Sequence, residues 1–115
     1  MRPESFYRLL HILLVNAIDW THGRDDPRVR IQAKRTSKHC EVIFSDNGPG
    51  IPAGCEERVF QPMFSGREGG RGMGLTVARE LLRLNGGTIE AISDRRRRGA
   101  AFRILFPRKR SRATG

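Results

Sequence analysis

The chain has 115 residues, enough for one hydrophobic core and too few for two. Hydrophobic residues make up 37% and aromatics 7%, no apolar run approaches a membrane span, and Met1-Arg2-Pro3-Glu4 lacks the features of a signal peptide. The formal net charge of +10 excludes an acidic surface and leaves two readings, an anionic partner or solvated basic segments.

The first predicted element is a helix over residues 4–20, where Phe6, Leu9, Leu10, Leu13, Ala17 and Trp20 recur at spacings of three and four. Arg8, His11, Asp19 and His22 fall on its other side. Gly23-Arg24-Asp25-Asp26-Pro27 reads as a turn. Residues 29–34 and 40–45 alternate or run apolar and predict two strands joined by Thr36-Ser37-Lys38. Residues 46–72 hold most of the glycines and prolines, interrupted only by a short helical segment over 56–60.

A second helix is predicted over residues 75–84, buried through Leu75, Ala78, Leu81 and Leu82 and stopped by Gly86-Gly87. Residues 88–93 and 101–106 form a final strand pair around Arg95-Arg96-Arg97-Arg98. The order predicts a mixed α/β layer, an α+β sandwich with helices on one face of a largely antiparallel sheet. One domain is expected over 1–107 and a basic disordered tail over 108–115. The arginines read better as a solvated turn and tail than as a nucleic-acid surface, because no aromatic residue interleaves with them to stack on bases. Cys40 and Cys55 have neither CxxC nor zinc spacing, which predicts reduced thiols in a cytoplasmic protein.

Three groups stand out chemically. Asn16 falls inside the apolar stripe, among Leu9, Ile12 and Trp20, where an unpartnered carboxamide costs roughly 1–3 kcal/mol. Either a neighbouring backbone group satisfies it or it is a ligand to Mg²⁺, whose preference for hard oxygen suits an amide carbonyl. Asp46 ends a strand and enters Asn47-Gly48-Pro49-Gly50. This is the composition of an Asx turn, and also of a site where a carboxylate meets an exocyclic amine while glycines admit a flat base. Gly70, Gly72 and Gly74 lead into the second helix, and freed amides at a helix start make an anion cradle. No Lys-Ser or Lys-Thr follows, so this is not a P-loop; a dinucleotide fingerprint would need a preceding strand and a later acid. Arg67 and Arg71 are either phosphate donors or solvated loop charges.

Taken in order, Asn16-Ala17, Asp46-x-Gly48-x-Gly50, Phe60-x-Pro62-x-Phe64 and Gly70-x-Gly72-x-Gly74-Leu75 resemble the N, G1, F and G2 boxes of the Bergerat (GHKL) ATPase superfamily. More narrowly they resemble the ATP-binding catalytic domain of sensor histidine kinases, over about residues 8–107. Pro62-Met63-Phe64-Ser65-Gly66-Arg67-Glu68-Gly69-Gly70 is similar to the nitrogen-regulation NtrB type. The resemblance implies ATP and Mg²⁺ as cofactors, with Asn16 on the metal and Asp46 on the adenine amine. Gly48, Gly50 and Ile51 would shape the base pocket. Residues 60–71, with Phe60, Ser65, Gly66, Arg67, Gly70 and Arg71, would form a mobile ATP lid, and Gly72, Met73, Gly74 and Leu75 would meet the phosphates. It further implies transfer to a histidine on a dimerisation and phosphoacceptor domain, then to an NtrC-like receiver domain of a response regulator, with no catalytic side chain assigned.

Four departures bear on this. Ile12 stands where ATP-hydrolysing and serine-phosphorylating relatives place a glutamate base, which argues against gyrase-like, MutL-like and anti-sigma-factor kinase readings. Asp19 replaces a frequent lysine, and Gly99-Ala100-Ala101-Phe102 lacks the hydroxyl of Gly-Thr-x-Phe. The family domain normally has further elements before the first helix here. His11, His22 and His39 are not followed by an acidic residue, so no phosphoacceptor signature is present. The expectation is a piece of a longer kinase, or a stand-alone domain serving an acceptor in trans, marginally stable because a sheet border is left unpaired. The alternative is a nucleotide-binding switch without turnover.

Overall fold

The computed structural model describes residues 2–23, 25–61, 74–92 and 99–107. Helix α1 spans Pro3–Trp20, with proline in its first turn, where a missing N–H costs nothing, and Glu4 beside the positive helix end. It buries Leu9, Leu13 and Ala17, one residue per turn. Phe6, Leu10 and Trp20, the other members of the predicted stripe, are half-buried. The helix stops at Thr21, whose hydroxyl donates to the Ala17 carbonyl at 2.8 Å.

Strands β1 (Val29–Arg35) and β2 (His39–Asp46) form a hairpin. Thr36 closes it: its N–H donates to the His39 carbonyl at 2.8 Å and its hydroxyl accepts from the His39 N–H at 2.9 Å. The helical segment expected at 56–60 is a single 3-10 turn over Arg58–Phe60. Helix α2 spans Gly74–Leu84 and ends as its glycines predict, with the Gly87 N–H reaching back to the Leu82 carbonyl at 2.8 Å. Strands β3 (Thr88–Ile92) and β4 (Ala101–Pro107) are the last described elements. Element boundaries differ from the sequence reading by one or two residues.

The four strands are antiparallel in the order β1-β2-β4-β3, and the helices pack on the sheet as an α+β layer. Pairing sets Phe44 opposite Phe102, and Val42 opposite Ile104, which in turn faces Ile89. Together with Leu9, Leu13, Leu82 and Val59 these residues form the core. Burying each large side chain contributes about 1.5–3 kcal/mol.

Edge strand β1 is exposed along its whole length. Val29 and Ile31 pair with Asp46 and Phe44 and so share the covered face of the sheet, yet remain 40% and 49% exposed. On α1, Tyr7, Leu14, Val15 and Ile18 are exposed as well. The arginine run at 95–98 and the basic tail at 108–115 lie outside the described residues. Cys40 and Cys55 are free thiols. Among the described residues no helix is long and apolar enough to cross a membrane.

Candidate nucleotide-binding site

Asp46 is the last residue of β2, and the two-residue repeat of a strand sets it on the same face as Val42 and Phe44. The apolar face of the sheet therefore ends in a carboxylate that is only 7% exposed. Burial of a charge has to be compensated by donors. Asp46 Oδ1 accepts from the Gly48 N–H at 2.8 Å and from the Ala100 N–H at 3.2 Å. The first bond is the Asx turn that the local composition predicted. The second comes from the far hairpin, across 54 residues of sequence.

The backbone is tight around this carboxylate. Gly99 holds φ +98, and a Cβ on it would drive into the carbonyl of Asp46, so only glycine fits. A Cβ on Gly50 would lie 3.3 Å from the Gly99 carbonyl oxygen, which places the two loops side by side. Ile51 is half-buried against the core next to them. Asn47 ties the turn to the α1–β1 connection: its Oδ1 accepts from the Arg28 N–H at 2.8 Å and its Nδ2 donates to the Asp26 carbonyl at 2.7 Å. Sequence reasoning gave Asn47 and the Ala100 amide no role. Their partners are distant in the chain, and only the Asx-rich composition at 46–47 hinted at a side chain turned back on the backbone. A cavity of about 370 Å³ lined by Gly23, Asp25, Asp26 and Asn47 adjoins this tie, and its acidic lining does not suit a phosphate.

Asn16 is half-buried on α1. Its Oδ1 accepts from the Trp20 indole N–H at 3.2 Å, one turn along the helix. The partner is thus a side chain and not the backbone group that the sequence reading offered. A carbonyl oxygen has two lone pairs, so this bond leaves the amide able to serve a hard cation. Among the described residues no cluster of three His, Cys, Asp or Glu is placed to hold a metal. The Asn16 amide oxygen is a hard donor of the kind Mg²⁺ accepts alongside phosphates and water.

Helix α1 connects the two ends of the site. A Cβ on Gly74, at the start of α2, would lie 3.5 Å from Ile12 Cγ2, one turn before Asn16. A Cβ on Gly48 would lie 2.6 Å from the Trp20 carbonyl oxygen, one turn after it. Asn16 therefore sits midway along a ridge of about 12 Å that runs from the α2 start to the Asp46 turn. Ile12, in the position that excluded a general base, packs against Gly74.

Phe60 and Leu75 are each 5% exposed and belong to the core. The Phe60 ring packs edge-on against Phe102, with centroids 6.2 Å apart. Asp19 is half-buried. Ser65, Gly66, Arg67, Gly70, Arg71, Gly72 and Met73 lie outside the described residues. On the exposed side of α2, a hydrogen bond from Arg83 holds the Glu80 carboxyl below its usual range.

Comparison with known proteins identifies the family and the fold. Residues 1–110 match the family described as histidine kinase-, DNA gyrase B- and HSP90-like ATPase. The chain is 35% identical over 102 residues to the alginate biosynthesis sensor protein KinB of Pseudomonas aeruginosa, covering 87% of this chain and 17% of that protein. It is 31% identical over 112 residues to the signal transduction histidine-protein kinase ArlS of Staphylococcus aureus, covering 92% and 24%. The chain thus spans about a quarter or less of the curated relatives it matches. Its fold superposes on the mycobacterial sensor histidine kinase MprB with a TM-score of 0.79 at 25% identity, covering 93% of this chain and 72% of that one.

Proposed function

Because this chain belongs to the family of histidine kinase-, DNA gyrase B- and HSP90-like ATPases, we propose that it is the ATP- and Mg²⁺-binding catalytic domain of a two-component sensor histidine kinase. One observation carries the reading of the site: α1 is packed against the Gly48 turn at one end and the α2 start at the other, with Asn16 between them.

In this reading Asp46, oriented by two backbone amides, accepts a hydrogen bond from the adenine amine, while Gly48 and Gly50 let the base lie against the backbone. Asn16 would hold Mg²⁺, which when bound supplies charge neutralisation on the phosphates. The positive end of α2, which starts at Gly74, would receive the phosphate oxygens, and the Gly70-x-Gly72-x-Gly74 sequence supports a glycine cradle there. Phe60, Ile51 and Leu75 support the site through the core, and the family resemblance assigns Ser65, Gly66, Arg67, Gly70, Arg71 and Met73, which lie outside the described residues, to nucleotide binding.

Phosphoryl transfer is achieved mainly by positioning and electrostatics. The acceptor nitrogen of a neutral imidazole carries its own lone pair, so a bond forms from nitrogen to the γ-phosphorus as the bond to the β,γ-bridging oxygen breaks and ADP leaves. Ile12 cannot act as a base, and this reaction needs none at that place. The acceptor histidine would belong to a dimerisation domain in cis or in trans, and the phosphoryl group would pass to a receiver domain. As the finer reading, residues 62–70 support the NtrB type with an NtrC-like regulator.

Titration with Mg·ATP, followed by incubation of γ-labelled ATP with a supplied phosphoacceptor domain, tests this. Binding followed by acid-labile label on histidine is expected. Folded protein that takes up no nucleotide would refute the site, and binding without transfer would favour the non-catalytic switch, which Ile12 also permits. Faster relay to NtrC-like receivers than to others is expected of the NtrB reading, and equal rates would remove it.

A further inference from the structure

Two side chains of α2 converge on one residue of the 3-10 turn. Thr76 Oγ1 donates to the Phe60 carbonyl at 2.8 Å. The Arg79 guanidinium lies 4.5 Å above the Phe60 ring centroid, and its Nη1 meets Glu57 Oε1 at 2.6 Å. Thr76 and Arg79 are three apart and so share one face of the helix. Phe60 also packs edge-on against Phe102.

The placement of Phe102 gives this clamp a reach beyond packing. Phe102 pairs with Phe44, two residues before Asp46, and Ala100, two residues before Phe102, donates to Asp46 Oδ1. Thr76 lies in the first turn of α2. Phe60 is therefore a wedge between the helix start that would face phosphate and the strand pair that holds the base-binding carboxylate. A valine at 76 and a glutamine at 79 would occupy similar space without fixing the wedge: one lacks the donor and the other the charge.

We propose that Thr76 and Arg79 are positioning residues for the nucleotide phosphates: they lock Phe60 and thereby fix the start of α2 relative to the Asp46 turn. This rests on the ATP-site reading above. Both residues act through Phe60 at the α2 end of the site, so the effect expected of them falls on the phosphate end and not on the base end.

The experiment compares Thr76→Val, Arg79→Gln and Arg79→Lys with the unaltered protein, measuring affinities for Mg·ATP and for adenosine by calorimetry together with the melting temperature. Thr76→Val and Arg79→Gln should each weaken Mg·ATP by about three- to tenfold and leave adenosine within about twofold. Arg79→Lys, which keeps a cation over the ring, should recover most of the ATP affinity. Equal weakening of ATP and adenosine, or unchanged ATP affinity, would overturn the proposal. Unaltered protein that binds neither ligand would instead refute the ATP site itself. If Thr76→Val fails to fold, the Gln and Lys pair at 79 decides alone.

Discussion

The α-carbon of Gly48 lies so close beneath the last turn of α1 that a Cβ there would stand 2.6 Å from the Trp20 carbonyl oxygen and 3.0 Å from Asp46 Oδ1. Helix and turn meet backbone to backbone, which is how a helix carrying an amide at 16 is brought to a strand end carrying an acid at 46. Gly48→Ala should therefore push the two apart. The expected cost is about 1–3 kcal/mol in urea unfolding, as for other overpacked sites, with a drop in nucleotide affinity in the folded fraction. Unchanged stability would show that the turn yields freely.

Asp46→Asn keeps the shape of the carboxylate but loses its charge and one acceptor. Adenine nucleotide affinity should fall at least about tenfold by calorimetry, with a stability change of about 1 kcal/mol. Asp46→Ala strands the buried amides of Gly48 and Ala100 and should cost more in stability, about 1–3 kcal/mol per unpaired donor. Retained affinity in the Asn variant would remove Asp46 from the base pocket.

Asn16→Ala should abolish the Mg²⁺ dependence of ATP binding while adenosine still binds. Trp20 is the single tryptophan, and its indole N–H donates to Asn16 Oδ1, so its emission should shift in the same variant. A fluorescence shift without loss of the Mg²⁺ effect would assign Asn16 to the helix alone.

The Glu80–Arg83 pair makes a pH-dependent contribution of predictable sign. Arg83 lowers the folded-state pKa of Glu80, so the stabilisation is present above the ordinary carboxylate value and lost as pH falls through the lowered one. The raised value of Arg83 matters only in strong alkali. Glu80→Gln should melt slightly below the unaltered protein at neutral pH, and the gap should close as pH falls below the ordinary carboxylate range. Both groups are exposed, so added salt should shrink it as well.

Among the described residues strand β1 is an edge of the sheet, with Ile31 exposed on the covered face, a border that invites association. Arg30, Lys34 and Arg35 on the same strand repel a second copy, so any self-association should be weak. Ile31→Lys should reduce it further in sedimentation experiments with little loss of stability. Equal association in both proteins would place the contact elsewhere.

Much of this architecture could be read from local pattern. The α1 and α2 faces follow from apolar spacing, the stop of α2 from Gly86-Gly87, and the Asx turn from Asp46-Asn47-Gly48. Such features depend on backbone preferences and side-chain period within a few residues, and those are written into the chain directly. The same holds for the ordered boxes that carried the family resemblance.

Partners distant in the chain were decided by packing. That Asn47 bridges to Asp26 and Arg28, that Ala100 supplies an amide to Asp46, and that Thr76 and Arg79 close on Phe60 could not be foreseen from spacing. Each depends on how the strand pairings and the packing of α2 on the 3-10 turn bring separate segments to one place. Local sequence specifies the elements because hydrogen bonding and periodicity act within a turn or a strand, whereas the site arises from contacts that exist only once the sheet has registered and the helices have settled on it.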